Sequence, residues 1–287
     1  MTDKEATMYQ ILGKISESGA PIVFKGALIT KLILAEHGYT AIERQTRDID
    51  ANWIGMPPPM SELENTLNRS LEALHGKFRA KAFREYGDKM SAGFYIIENA
   101  TDEKIVTMDV DIRPIYGSTT YHYGEVSIHG VLATEILADK ITVLSSVKMF
   151  RRTKDLIDVY ALTHCGKVLS AEVMDVIARK HLKLGDFAEF FTRRNDVEHA
   201  YSKLQGVEGK PPFDNVYAYL TEFVRPFAQK EKTSLTWNNG NRNWDDTSRV
   251  VEKRPSVLGP LRAKAQQERE RPASPPKKTK HKNDLER

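Results

Sequence analysis

Arg44-Gln45-Thr46-Arg47-Asp48-Ile49-Asp50-Ala51-Asn52-Trp53 is the stretch on which the reading of this chain turns. If its second half is a strand, successive side chains point to opposite faces, so Asp48 and Asp50 share one face. Two carboxylates that close together repel unless a cation lies between them. Their hard oxygens suit Mg²⁺ or Mn²⁺. Taken alone, the stretch reads more readily as a solvated strand end, because Asp-x-Asp is a short pattern that is common by chance.

A second acidic strand lies downstream. Lys104-Ile105-Val106-Thr107-Met108-Asp109-Val110-Asp111-Ile112 is β-branched and partly alternating. Asp109 and Asp111 share a face with Ile105 and Thr107, while Val106, Met108, Val110 and Ile112 form an apolar face. Three carboxylates on two neighbouring strands are a frequent support for two-metal phosphoryl or nucleotidyl transfer. Upstream, Ile22-Val23-Phe24 reads as a short strand leading through Lys25-Gly26-Ala27-Leu28 into a helix. Backbone N–H groups at such a helix start face the turn, and glycine lets a phosphate approach closely. An ordinary strand-to-helix turn is the alternative at a single glycine.

The 287 residues are 40% hydrophobic, which fits a folded globular protein, and they suffice for one large or two medium domains. The single cysteine, Cys165, excludes an internal disulfide and a cysteine-rich zinc site. The charged start Met1-Thr2-Asp3-Lys4-Glu5 is unlike a signal peptide, and no run approaches the roughly 18 apolar residues of a membrane span. A cytoplasmic protein with no membrane partner is expected. The net charge is +4, but residues 231–287 hold 14 Lys and Arg against 8 Asp and Glu. The positive surplus is therefore concentrated in the tail, and the body is slightly acidic.

An α+β chain is expected. Residues 1–132 form a mixed-sheet domain, 133–230 a helical domain, and 231–287 a basic, disordered tail rich in Pro, Lys, Arg and Asn. Helices are expected over 4–17 and from Ser61 to about Leu74, strands over 91–98 and 104–112, and a further β segment over 119–130. Five more helices follow, over 133–148, 153–164, 170–182, 186–204 and 213–229. The helical half holds two charged clusters, Glu135-Ile136-Leu137-Ala138-Asp139-Lys140 and Arg152-Thr153-Lys154-Asp155-Leu156-Ile157-Asp158. They are readable as solvated faces with i, i+3 and i, i+4 pairs. In the functional reading Lys140 and Lys154 hold triphosphate oxygens, and Asp155 and Asp158 orient the lysines or the nucleophile. No His-Glu-x-x-His occurs, so a zinc hydrolase has little support.

Together these motifs resemble the AbiEii/AbiGii toxin family, nucleotidyltransferase-like toxins of type IV toxin–antitoxin and phage-defence systems. The resemblance rests on Lys25-Gly26-Ala27-Leu28, Arg44-x-Thr46-x-Asp48-x-Asp50, Val106-Thr107-Met108-Asp109-Val110, Glu135-x-x-Ala138-x-Lys140 and Arg152-x-Lys154-Asp155-x-x-Asp158, in that order. It covers about residues 20–165. It implies a nucleotidyltransferase-type mixed-sheet domain followed by a helical domain, and Mg²⁺- or Mn²⁺-dependent transfer of a nucleotide from an NTP to RNA, such as tRNA, or to a protein. It implies that Asp48, Asp50 and Asp109 bind metal and take part in catalysis, with Asp111 as a weaker candidate. Lys25, Gly26, Arg44, Thr46, Lys140 and Lys154 would bind nucleotide, and Asp155 and Asp158 would support the lysines. It also implies a cognate antitoxin that acts without a stable complex. The turn departs from the family pattern, since Ala27 follows Gly26 and no hydroxyl is available there. Ala27 supports a second reading, a non-catalytic nucleotide-binding or interaction protein that keeps the fold. A third reading is nucleic-acid binding through the basic tail.

Overall fold

Met8, Ile11, Leu12 and Ile15 recur at helical spacing, and all four are buried. They are the inward stripe of helix α1 (Asp3–Glu17), which ends before Gly19, where φ is +72°. The computed structural model describes residues 3–87, 90–231 and 233–247.

Seven strands form one mixed sheet. From one edge they are β4 (Phe78–Arg84), β5 (Ser91–Glu98), β6 (Lys104–Asp111), β3 (Asp48–Trp53), β1 (Ile22–Lys25), β8 (Val126–Val131) and β7 (Ser118–Tyr123). β3 runs parallel to β6 and β1 parallel to β8; the other neighbours are antiparallel. One face of the β3–β6–β5 region is apolar and fully buried through Ile49, Ala51, Val106, Met108, Val110, Phe94 and Ile96. Helix α3 (Met60–Glu72) covers β4 with Leu63, Leu67 and Leu71, all buried. The opposite face carries Asp48, Asp50, Thr107, Asp109 and Tyr95, each exposed or half-buried. Strand alternation therefore sorts the side chains as the sequence indicates.

Helix α2 (Gly26–Glu36) follows β1 directly. Helices α4 (Ala133–Leu144), α5 (Lys154–His164), α6 (Ser170–Arg179), α7 (Ala188–Thr192), α8 (Arg194–Ser202) and α9 (Phe213–Ala228) make up the second half. The helix expected over 133–148 stops at Leu144. Ser146 then caps a separate 3-10 turn, Val147–Arg151, its hydroxyl accepting the Lys148 N–H at 3.3 Å. The helix expected over 186–204 is two, broken at Arg193. A short ladder joins β2 (Glu43–Arg44) to β9 (Val207–Glu208), tying the two halves of the chain together. One hydrophobic core runs from Met8 to Trp237.

Two expectations change. Phe78-Arg79-Ala80-Lys81-Ala82-Phe83-Arg84 is an edge strand that the sequence reading leaves unassigned, because two alanines dilute its alternation. Residues 233–247 depart from the irregular tail expected from about Glu231. Leu235–Asn238 (β10) and Asn243–Asp246 (β11) pair as a hairpin with Trp237 opposite Trp244. The Trp237 indole N–H donates to the Tyr219 hydroxyl at 2.7 Å, and that of Trp244 donates to the Phe223 carbonyl at 3.0 Å. Two tryptophans packed against α9 outweigh the turn-rich Asn and Asp composition around them. The basic stretch beyond Thr247 lies outside the described residues. Among the described residues no helix is long and apolar enough to cross a membrane.

Candidate active site

β1 ends, and α2 begins, at Lys25-Gly26. Gly26 has φ +72°, and a Cβ placed there would lie 2.1 Å from Asp50 Oδ2. Glycine is thus required twice over, for the backbone angle and for the carboxylate packed against it. The β1–β3 register sets Lys25 opposite Asp50, and the β3–β6 register sets Asp50 opposite Asp109 and Asn52 opposite Asp111. Lys25, Gly26, Asp50, Asp109, Asp111 and Lys140 line a cleft of about 430 Å³, with Arg152 and Lys148 also on its wall. A hollow of about 500 Å³ on the outer side of α3 gathers no comparable cluster.

Desolvation raises the pKa of Asp50; Lys25 opposes the rise, Asp109 adds to it, and Lys140 and Lys154 pull it down. Asp109 is held by the Arg84 guanidinium at 2.8 Å. Asp111 is buried between Lys25, at 3.1 Å, and Arg113. Burial raises its pKa, but the hydrogen bonds from Arg113 and the Lys25 charge more than offset this and hold it below the usual carboxylate range. Asp48 is exposed, accepts from the Thr107 hydroxyl at 2.6 Å, and does not line the cleft. Among the described residues, no three His, Cys, Asp or Glu side chains stand together as a metal-binding group. Asp50 and Asp109 nonetheless fit a hard divalent cation in donor chemistry: they are adjacent carboxylates, and their mutual repulsion contributes to the raised Asp50 pKa.

The second charged cluster is mostly interior. Lys140 donates to Asp155 at 2.8 Å and to Asp158 at 2.5 Å, and all three side chains are almost wholly buried. Arg44 donates to Asp158 at 2.7 Å, and Arg152 lies 3.0 Å from Asp155. Burial lowers the Lys140 pKa, but Asp158 and Asp155 more than restore it, so it ends above the ordinary lysine value. Burial likewise raises Asp155, yet Lys140 and Arg152 bring it net below the carboxylate range. The anticipated nucleotide ligands therefore divide. Lys25, Gly26 and Lys140 face the cleft. Arg44 is a strut on Asp158, and the Thr46 hydroxyl donates to the Asp48 carbonyl at 3.3 Å. Lys154 is exposed and has no ion pair among the described residues. Its pKa is lowered by desolvation and then by the neighbouring Arg44 and Arg152 charges. Crowded cations of this kind favour an anion among them.

Residues 10–238 match the model of the nucleotidyl transferase AbiEii toxin family of type IV toxin–antitoxin systems. The chain belongs to the AbiEii family. No curated protein matches the chain significantly. Among solved structures, MenT4, a nucleotidyltransferase toxin from Mycobacterium tuberculosis H37Rv, is 19% identical with a TM-score of 0.37, over 56% of this chain and 57% of that one. The chain thus matches little more than half of MenT4. An antigenic nucleotidyltransferase-like protein from Paracoccidioides brasiliensis is 15% identical with a TM-score of 0.40, over 69% and 91% of the two chains.

In this AbiEii-family chain the structure adds residues that the motif reading passed over. Arg84 reaches Asp109 because an irregularity between Ala82 and Arg84 turns successive β4 residues toward the same face. Arg113 sits two residues beyond Asp111 and forks onto it, a spacing visible in the sequence but uninformative without the fold. Lys148 joins the cleft through the 3-10 turn that interrupts the expected helix.

Proposed function

We propose that this AbiEii-family protein transfers a nucleotide from an NTP to a hydroxyl acceptor, with RNA, tRNA included, as the leading acceptor. The observation that carries the reading is the cross-strand row Lys25–Asp50–Asp109 set against the Gly26 turn. The N-terminus of α2 and the lysines Lys25 and Lys140 receive triphosphate oxygens at the β1 side of the cleft. Asp50 and Asp109 are the residues that would hold Mg²⁺ or Mn²⁺, which would supply charge neutralisation on the phosphates when bound, and Asp48, on the same strand face but outside the cleft, is a further candidate. The acceptor oxygen forms a bond to the α-phosphorus, the bond from that phosphorus to the bridging oxygen breaks, and pyrophosphate leaves. The hydroxyl proton passes to Asp109 once Arg84 has moved aside. Asp155 and Asp158 fix Lys140 in the charged form that this role needs. Family membership implies a cognate antitoxin, and a cytoplasmic site of action is consistent with the single buried Cys165.

The test is label transfer. Protein is incubated with Mg²⁺, each α-labelled NTP and total cellular RNA, beside an Asp48→Ala/Asp50→Ala control. Label on RNA with the wild type alone is the expected result. The Arg84–Asp109 ion pair and the missing hydroxyl at Ala27 favour a second reading, a nucleotide binder without turnover. NTP-induced thermal stabilisation with no label on RNA or protein would select it.

A further inference from the structure

The sheet face beside Asp109 is half claimed by the cleft and is otherwise uncovered by the described residues. In register across β4, β5 and β6 it carries Lys81 opposite Tyr95 and Tyr95 opposite Thr107, with Gly93 opposite Asp109. The Phe83 ring lies over Gly93, where an added Cβ would come within 2.6 Å of it. Phe83 stacks on Tyr95 with ring centroids 4.2 Å apart and planes 14° from parallel. Arg84 lies over Phe83 at 5.6 Å and Lys104 over Tyr95 at 5.0 Å. The result is a column of cation, ring, ring and cation, beginning at the arginine that holds Asp109. Packing on Gly93 accounts for where the Phe83 ring rests. It does not account for a ring 42% exposed, with Arg84 over it and Tyr95 stacked against it. Lys81 and Lys104 are exposed, and neither has an ion pair among the described residues.

Approach directions follow from strand order. The anion-binding turn lies on the β1 side of Asp50, whereas β5 and β4 lie on the far side of Asp109. An acceptor that reaches Asp109 without crossing the triphosphate comes in over β5 and β4.

We propose that this face is the platform for a single-stranded RNA acceptor, its bases stacked on the Phe83–Tyr95 column and its phosphates at Lys81 and Lys104. Stacking on aromatic rings along a cationic track is how single strands are held without sequence selection. Thr107, opposite Tyr95 and one alternation from Asp109, gives its hydroxyl proton to Asp48 and keeps oxygen lone pairs that accept from a ribose 2′-hydroxyl, which favours RNA over DNA. The arriving strand displaces Arg84 from Phe83 and so frees Asp109 to meet the acceptor hydroxyl. This inference rests on the transfer reading for its purpose, but its binding step is measurable alone.

The experiment uses fluorescence anisotropy with a labelled 12-nucleotide single-stranded RNA, the same RNA as a duplex, and the DNA equivalent. The proteins are wild type, Phe83→Leu, Tyr95→Leu and Lys81→Glu/Lys104→Glu. Circular dichroism and the NTP-induced thermal shift confirm that each variant is folded and still takes nucleotide. The expected result is preference for the single-stranded RNA, a loss of about tenfold on Phe83→Leu or Tyr95→Leu, and a loss plus weaker salt dependence for the lysine pair. Phe83→Leu keeps an apolar cover on Gly93, so a folded Phe83→Leu protein that binds like wild type overturns the platform. Equal binding of DNA overturns the choice of RNA, and preference for duplex overturns stacking. If the wild type binds RNA through these residues but moves no label, the platform stands and the transfer reading falls. If label moves and the variants keep the wild-type KM for RNA, the transfer reading stands and the platform falls.

Discussion

Replacing Lys140 with methionine separates a structural cation from a substrate-binding one. Met matches the length of the lysine stem but leaves Asp155 and Asp158, 0% and 4% exposed, without the amine that lies 2.8 and 2.5 Å from them. Stripping one partner from a buried ion pair costs about 3–5 kcal/mol, because a desolvated charge is left uncompensated. Arg152 near Asp155 and Arg44 on Asp158 remain, so the lower end applies, about 3 kcal/mol. For a folded body of this size that lowers Tm by about 6–12 °C. Urea unfolding at pH 7, followed by circular dichroism, is the assay. The pH dependence supplies a second check. The folded pKa of Asp155 lies below its unfolded value, so its stabilisation is present above the ordinary carboxylate pKa and fades as pH falls through the folded value. Lys140→Met weakens that term, so its deficit is largest near neutrality and narrows in acid. Lys140→Met/Asp158→Asn should recover part of the loss. A Lys140→Met protein within about 1 kcal/mol of wild type at pH 7 would refute the buried-network reading and leave Lys140 as a phosphate ligand alone.

Gly26→Ala combines a positive φ with a Cβ driven into Asp50, so a loss of about 1–3 kcal/mol in unfolding free energy and disappearance of the NTP-induced thermal shift are expected. Burial raises the Asp50 pKa, so its ionisation destabilises the fold as pH climbs from the unfolded value through the folded one. Asp50→Asn should therefore abolish label transfer while raising Tm of the ligand-free protein at neutral pH, a gain that vanishes in acid; an unchanged Tm across pH would contradict the desolvation argument. Trp237→Ala removes the centre of the C-terminal hairpin, which packs on Tyr219 and Phe223. A loss of about 3–5 kcal/mol by denaturant melt is expected, and near-neutrality would mean that the hairpin is not part of the core.

The residues of this chain announce its local elements well. Alternation in Asp48–Trp53 and Lys104–Asp111 separates acids from apolar side chains, and period 3.6 locates α1, α5 and α9. The family, too, is readable from ordered motifs. What the sequence leaves open is which charges meet. Asp155 and Asp158 look like a solvated helix face, yet they are buried beneath Lys140, and Arg44 reaches Asp158 across 114 residues of chain. Asp48 and Asp50 look equivalent on one strand, but only Asp50 faces the cleft, because Gly26 and Lys25 come against it from β1. Arg84 reaches Asp109 through an irregular pairing in a strand whose own pattern is faint. Periodicity is a property of neighbours along the chain and survives in the sequence. Register, burial and ion pairing depend on surfaces brought together from distant segments, so they are settled only when the sheet and helices pack.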